Sequence, residues 1–431
     1  MALQIFKNRD QIHAWFQEQF KNHTAPFYSS VDIRDSGDKI APVDSNLFPA
    51  GFNNICEVDF ENASKLFKTQ IAEMARDLKL ELPKKILLIP ETHTENRFYL
   101  ENLYCLKTIL DDADFETEIG WINPPPRIDG SVDAGATTPP LTAHSTTPLT
   151  THLTTASGKQ LVAQALEIRS GILQTMNGFV PDWVVLNNDF SQGYPTYFDE
   201  VKQPIMPTYK LGWHSRKKST HFHFYNQIAT EFATLIGIDP WHITIASEAV
   251  GNVDFGEGKG IESVLQVAEK MFATLHAQKQ AHQLSREPAL FIKNDSGTYG
   301  MGIMVVHSLD EIKNMNRRTK NKMSVGKNKS QIHQVIIQEG IPTQLSTDGH
   351  SSEPVIYMMG HELIGGFIRA NTERDDLDNL NSQGMIFKKL CFKDLHDFWN
   401  CNDFNEFPVL EAVYGSIGRL SALAASREGS L

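Results

Sequence analysis

Cysteine is scarce in this chain. Its 431 residues include four, Cys56, Cys105, Cys391 and Cys401. That is too few for a disulfide scaffold, and none falls in a CxxC pair, so reduced thiols in a cytosol are expected. Long apolar runs are missing as well: none approaches the ~20 residues needed to span a bilayer. The opening stretch MALQIFKNRDQIHAWFQEQF mixes charge into every turn and lacks the apolar core of a signal peptide. Positive charge is in deficit, with 40 Lys+Arg against 52 Asp+Glu and a formal net charge of −12. Such a chain is a poor general binder of nucleic acid or anionic membrane, whose phosphates it repels. A small anionic ligand sees only the local field and is not excluded. A cytoplasmic protein without nucleic-acid or membrane partners is therefore expected; a homo-oligomer is compatible with the sequence.

What is present is ordinary for a globular protein: 41% hydrophobic and 10% aromatic residues. At roughly 100–200 residues per domain the length allows two to four domains. Ala63, Leu66, Phe67, Met74, Ala75 and Leu78 share one helical face, which predicts a helix from about 61 to 79. KKILLIP (84–90) reads as a buried strand, followed by the polar turn ETHTEN and a helix through Tyr99, Leu103, Leu106 and Leu110. DWVVLNND (182–189) repeats the strand and polar tip. This alternation marks an α/β layer with a parallel sheet, where ligands gather at the carboxyl ends of strands. Glu91–Arg97 and Asn187–Gln192 are thus candidate site positions. Residues 128–158, rich in Thr, Pro, Ser, Ala and Gly, cannot offset their ordering entropy and are expected to form a mobile surface insertion.

The last 190 or so residues read as a second unit. Val264, Ala268, Met271, Phe272 and Leu275 predict a helix, and ALFIK (289–293) and IMVVH (303–307) two strands. Ser308 with Glu311 has the form of a capping box. QVIIQEG (334–340) is a further strand, and EPVIYMMGHELIGGFIRAN (353–371) a hairpin turning near Gly360–Glu362. The stretch from Lys313 to Lys329 has seven Lys/Arg and no acid, and reads as a solvated loop. His221 and His223, alternating with Phe222 and Phe224, read as a half-buried segment rather than a metal site.

The most informative stretch is Phe291-Ile292-Lys293-Asn294-Asp295-Ser296-Gly297-Thr298-Tyr299-Gly300-Met301-Gly302. A strand delivers a lysine, and a loop with three glycines follows. Glycines let backbone N–H groups approach phosphate oxygens, and the lysine adds a point charge. No GxxxxGK[ST] is present, and the loop joins strand to strand, so neither a P-loop nor the dinucleotide fingerprint is met.

Strand, lysine, glycine loop, strand, then a strand ending in Gln338-Glu339-Gly340, resembles the ATP-grasp superfamily. Closer still, Asp32-Ile33-Arg34, the run Ala41-Pro42-Val43-Asp44-Ser45-Asn46-Leu47-Phe48-Pro49-Ala50-Gly51-Phe52-Asn53-Asn54, Asn187-Asn188-Asp189-Phe190-Ser191, the run from Tyr209 to Ser219 and Asn379-Leu380-Asn381 resemble the proteobacterial type of glutamate–cysteine ligase. The resemblance implies an N-terminal α/β, Rossmann-like substrate domain (1–237) and an ATP-grasp-like pair of subdomains (238–431). It implies ligation of the glutamate side-chain carboxylate to the cysteine amine through an acyl phosphate, with ATP and Mg²⁺. Under it Lys259, Lys293, Ser296, Gly297, Gly300, Gly302, Gln338 and Glu339 hold ATP. Arg369 with Lys293 acts on the transferring phosphoryl group. Arg34, Asp44, Asn46, Asn53, Asn54, Asn188, Arg216 and Lys217, with Lys218 beside them, bind the amino-acid substrates. The metal falls to Asn379, Asn381 and Glu353, with Asn-x-Asn standing where related enzymes carry Glu-x-Asn; Asp376, Asp378 or Glu373 next door are alternative sources of the charge. Two alternatives stay open: the same fold joining another amino-acid pair, and a non-catalytic nucleotide-binding regulator. Because every proposed ligand is anionic or zwitterionic, Lys and Arg are expected to concentrate in the cleft.

Overall fold

The computed structural model describes residues 1–91, 96–122, 127–128, 150–297, 302–325, 331–392 and 399–429. Its strands form three sheets, giving a mixed α/β protein.

The first sheet is largely parallel, in the order Ile205–Met206, Trp183–Asn187, Lys85–Pro90, Glu116–Trp121, Gln160–Arg169 and Arg127–Ile128. Side chains on a strand point alternately to its two faces. Ile86 and Leu88 accordingly pack with Phe67, Ile71, Leu103 and Leu106 from the helices Phe60–Asp77 and Arg97–Asp112. Leu87 and Ile89 pack the other way, with Leu173, Phe190 and Phe198. Both faces are covered, which is why these strands read as continuous apolar runs.

The second sheet is antiparallel, in the order Met385–Leu390, Glu362–Asn371, His350–Met359, Tyr28–Asp35 and Ile40–Asn46. Strands from both ends of the chain thus share it, so the sheets do not divide at 237/238. Val31, Ile33, Ile356 and Met358 face the helix Val409–Ser426. That helix is apolar nearly all round and buried from Glu411 to Ala425. Gly418 allows the close approach: a Cβ there would lie 2.7 Å from the Met358 sulfur.

The third sheet, Ser247–Gly251, Gln334–Glu339, Leu290–Asn294 and Ile303–Val306, is antiparallel. Leu290, Ile292, Val335 and Ile337 pack on the helix Ile261–Ala281 through Val264, Ala268, Phe272 and Leu275. Alternation turns Phe291, Lys293 and Gln338 to the opposite face.

Several expectations need correction. Residues 129–149 of the Thr/Pro-rich stretch lie outside the described residues, but its end is not loose. Thr150–Thr154 is a strand antiparallel to Gln160–Arg169, with Leu153 buried, because the neighbouring strand edge supplies hydrogen bonds that composition does not reveal. The basic stretch contains the helix Arg317–Ser324, anchored by the buried Met323. The segment with His221 and His223 is half-buried as expected, His221 inside and His223 exposed, and it lies on the helix Lys218–Ile236. Ser308 does precede a helix, Leu309–Lys313, but its hydroxyl caps no amide, and Glu311 receives the His307 N–H instead. The cysteines are not all reduced: Cys56 and Cys391, 335 residues apart, form a disulfide with a Cα–Cα distance of 5.2 Å. Chain separation concealed a proximity that the second sheet creates, where Lys389 Nζ also reaches the Ile55 carbonyl at 2.8 Å.

Asp59, next to this disulfide, is 2% exposed, and its Oδ2 has no hydrogen-bond partner among the described residues. Burial pushes its carboxyl up from 3.8 to about 7, despite the Phe392 N–H. An acid whose folded pKa is raised stabilises the fold while protonated; that contribution is complete below about pH 4 and is lost as pH rises through 7. Denaturant unfolding at pH 5 and pH 8 should therefore show a wild-type loss of roughly 2 kcal/mol, discounted from the full shift for screening. Asp59→Asn should abolish most of that difference. An equal pH dependence in the variant would remove Asp59 as its source.

Candidate functional site

A cleft runs between the second and third sheets. Asp32 and Arg34 enter it from the strand Tyr28–Asp35, Val43 and Asp44 from Ile40–Asn46, and Glu353 from His350–Met359. Facing them from the third sheet are Phe291, Lys293, Asn294, Ile303, Gln338 and Glu339. Gly297, Lys218, Ile341, Asn379 and Asn381 complete the wall.

On one side lies a buried charge network. Arg34 Nε donates to Glu353 Oε2 at 2.5 Å, and its two terminal nitrogens donate to the Asp376 and Asp378 carbonyls, both at 2.7 Å. Arg369 Nη1 bridges Asp32 Oδ2 at 2.6 Å and Glu353 Oε1 at 2.8 Å. Burial pushes the Glu353 carboxyl up, but the two guanidiniums outweigh it and hold it below the usual range. For Asp32 burial wins over Arg369, and its carboxyl is raised. Two carboxylates of opposite tendency thus stand beside each other at the cleft wall.

On the other side stand two lysines. Lys293 Nζ donates to Gln338 Oε1 at 2.6 Å and to the Val43 carbonyl at 3.1 Å. Burial pushes its ammonium down to about 8, against the pull of Asp44 and with the repulsion of Lys218 and Arg34. Lys218 Nζ pairs with Asp44. Burial would raise Asp44, but Lys218, helped by Lys293, holds it below the usual range. Gln338 is 1% exposed, and its Nε2 has no partner among the described residues. Behind it Glu339 pairs with Lys39 at 2.7 Å and receives the Ala246 N–H at 3.1 Å.

The expected concentration of Lys and Arg in the cleft is not found. Arg34, Lys218 and Lys293 line it together with Asp32, Asp44, Glu339 and Glu353. A buried charge without a partner is costly, so each cation is matched by a protein carboxylate or amide.

Of the residues singled out in the sequence, Arg34, Asp44, Lys293, Gly297, Gln338, Glu339, Glu353, Asn379 and Asn381 meet in this cleft. Arg369 sits one layer behind, touching it through Asp32 and Glu353. Ser296 lies at its rim, receiving Lys217 Nζ at 2.9 Å and donating to the Arg216 carbonyl at 2.9 Å. Gly302 has φ +63°, a conformation that favours glycine, and a Cβ there would collide with Ile332 at 2.6 Å. Gly300 lies outside the described residues. Lys259 is exposed and pairs by its backbone with Asp254, away from the cleft wall. Asn46 caps its own turn through the Phe48 amide, Asn53 bonds Asn54, and Asn188 bonds the Phe190 amide and the Pro90 carbonyl; none of the four lines the cleft. Arg216 is buried in an ion pair with Glu428.

Sequence reading gave no role to Asp32, Lys39 or Asn294. Asp32 had a signal: it stands two residues from Arg34, hence on the same face of one strand. Asn294 stood in the stretch after Lys293 but was given no role, and Lys39 had no signal. Among the described residues no group of three or more His, Cys, Asp or Glu is arranged to hold a metal ion. A hydrated Mg²⁺ needs only one or two carboxylates besides phosphate oxygens. Asp32 and Glu353, with the Asn379 and Asn381 amides, supply that donor chemistry. No helix among the described residues is long and apolar enough to cross a membrane.

A family model described as glutamate-cysteine ligase matches residues 3–429 of the chain. A solved structure assigned as a candidate gamma-glutamylcysteine synthetase from Methylobacillus flagellatus KT is similar at 33% identity and a TM-score of 0.85, covering 99% of this chain and 95% of that chain. A D-alanyl-alanine synthetase A from Vibrio cholerae O1 biovar eltor shares 11% identity over 78% of this chain and 79% of that chain; its TM-score of 0.34 carries no argument. No curated protein sequence matches.

Proposed function

The chain belongs to the glutamate–cysteine ligase family, whose members form γ-glutamylcysteine from glutamate and cysteine at the expense of ATP, and from that premise we propose that the cleft between the second and third sheets is where it does so. The observation that carries this reading is the convergence of Lys293, Lys218, Arg34 and the Arg369-held carboxylates Asp32 and Glu353 in one buried space. In this reading the third sheet with its helix and the second sheet form an ATP-grasp-like pair around the nucleotide, and the parallel sheet forms a Rossmann-like layer. The same reading has the enzyme act in the cytoplasm, where ATP is at hand.

The chemistry needs no enzyme nucleophile. A glutamate side-chain oxygen attacks the γ-phosphorus of ATP, the bond to ADP breaks, and an acyl phosphate forms. The cysteine amine then attacks the acyl carbon, loses a proton, and phosphate leaves. Lys293 and Lys218 exchange Gln338 and Asp44 for phosphate oxygens as the polyphosphate enters, and fix it in line. Arg34 supplies charge beside the reacting oxygens. Arg369 acts by fixing Asp32 and Glu353. With Asn379 and Asn381, these two carboxylates would hold Mg²⁺, which when bound neutralises charge on the phosphates. Gln338 Nε2, a buried donor without a partner among the described residues, offers a hydrogen bond to the nucleotide. Ser296, Gly297 and Gly302 line the turn over the phosphates. Lys217 reaches that turn through Ser296.

Incubation with ATP, Mg²⁺, glutamate and cysteine should yield ADP and γ-glutamylcysteine in equal amounts. Equal rates with unrelated amino acids would sink the substrate assignment, and no turnover with any pair would favour a nucleotide-binding regulator.

A further inference from the structure

The chain's last described turn is tied into the protein by a buried carboxylate that the ligase chemistry does not use. Glu428 follows the helix Val409–Ser426 and is 2% exposed at its side chain, as is Arg216. Its Oε2 receives Arg216 Nε at 2.6 Å, and its Oε1 receives Arg216 Nη2 at 2.8 Å. Glu428 Oε1 also lies 2.6 Å from His221 Nδ1. Burial would raise this carboxyl, but Arg216 and His221 hold it down to about 2, so it is charged at neutral pH. The third guanidinium nitrogen, Arg216 Nη1, donates to the Ser45 carbonyl at 2.5 Å. All three nitrogens of Arg216 are therefore used within the protein, which removes it as a substrate ligand.

What Arg216 touches matters more. Ser45 follows Asp44, the cleft carboxylate that pairs with Lys218. The Arg216 carbonyl receives Ser296 from the turn after Lys293. Lys217 and Lys218 follow it directly and send their ammonium groups to Ser296 and Asp44. The Arg216 side chain thus ties down one strand at Ser45, its backbone carbonyl holds Ser296, and the helix Lys218–Ile236 starts two residues on, while Glu428 fixes that side chain.

We propose that Glu428 is a positioning residue of the ligase, setting through Arg216 the placement of Lys218, Asp44 and Ser296 around the reacting phosphates. The proposal rests on the cleft being the site of ligation. A misplacement of about 1 Å outside the reacting groups can cost 10²-fold in rate.

Removing one partner of a buried ion pair also destabilises, so stability and activity must be separated. Glu428→Gln, assayed with ATP, Mg²⁺, glutamate and cysteine well below its own melting temperature, should lose roughly 30–100-fold in kcat, with KM for the amino acids changed only a few-fold. Replacing both partners by apolar residues of similar size is often neutral for stability. The double variant Arg216→Met with Glu428→Met should therefore regain the melting temperature and keep the low kcat. Recovery of kcat together with stability in the double variant, or a kcat within threefold of wild type in folded Glu428→Gln, would overturn the proposal. A wild-type chain that forms no γ-glutamylcysteine would overturn the reading of the cleft itself, a result separable from both.

Discussion

Lys293→Met should reduce γ-glutamylcysteine formation by roughly 10³-fold while leaving the fold intact. The methionine keeps the buried stem and removes the ammonium group. In the free protein Lys293 is 8% exposed, and its ammonium group is held by Gln338 and the Val43 carbonyl. Losing those two hydrogen bonds costs about 1 kcal/mol each, partly offset because a desolvated charge is no longer buried. The melting temperature should therefore move by only a few degrees while catalysis collapses. The pH dependence gives a second handle. Burial sets this ammonium at about 8 in the free protein, so raising the pH through 8 neutralises it. Wild-type kcat/KM for ATP should fall above pH 8, and the residual activity of Lys293→Met should lack that limb. Bound polyphosphate favours the charged form, so the limb in kcat should lie at higher pH. Activity retained in Lys293→Met would detach the glycine-containing turn from the phosphates.

Glu353→Ala should be the most destabilising single change at the cleft. Glu353 is 3% exposed and holds Arg34 with one oxygen and Arg369 with the other. Its removal leaves two buried guanidiniums short of a counter-charge, an effect on the order of 3–5 kcal/mol. Urea unfolding should show it directly. Glu353→Gln is gentler, since the amide still accepts one hydrogen bond, and it isolates the metal question. If this carboxylate helps to hold Mg²⁺, the Mg²⁺ concentration for half-maximal activity should rise roughly 10-fold or more in Glu353→Gln. An unchanged Mg²⁺ titration with a lowered rate would leave Glu353 as a holder of arginines only.

Short continuous apolar runs carried the buried strands at Lys85–Pro90 and Leu290–Asn294, and 3.6-residue periodicity carried the helices Phe60–Asp77 and Ile261–Ala281. These patterns are local, and each reports which face meets a core. The strand Thr150–Thr154 was not legible, because its stability comes from hydrogen bonds to Gln160–Arg169 rather than from its own Thr-rich composition. The Cys56–Cys391 bridge was equally invisible, since no local signal spans 335 residues.

The site divides along the same line. By itself the sequence determined which residue types are on offer to the proposed chemistry. Lys293 at a strand end before a glycine-containing turn, Arg34 two residues from Asp32, and the asparagines at 379 and 381 were all readable in place. Only the tertiary structure decided which of them share a space. It joined strands from the two ends of the chain in one sheet, bringing Asp32 and Arg34 to Glu353 and Arg369. It left Asn46, Asn53, Asn188 and Lys259 away from that wall. It also reversed the expected charge of the cleft. Composition counts charges but cannot pair them, and burial is what makes pairing obligatory, so the cations wait on protein carboxylates.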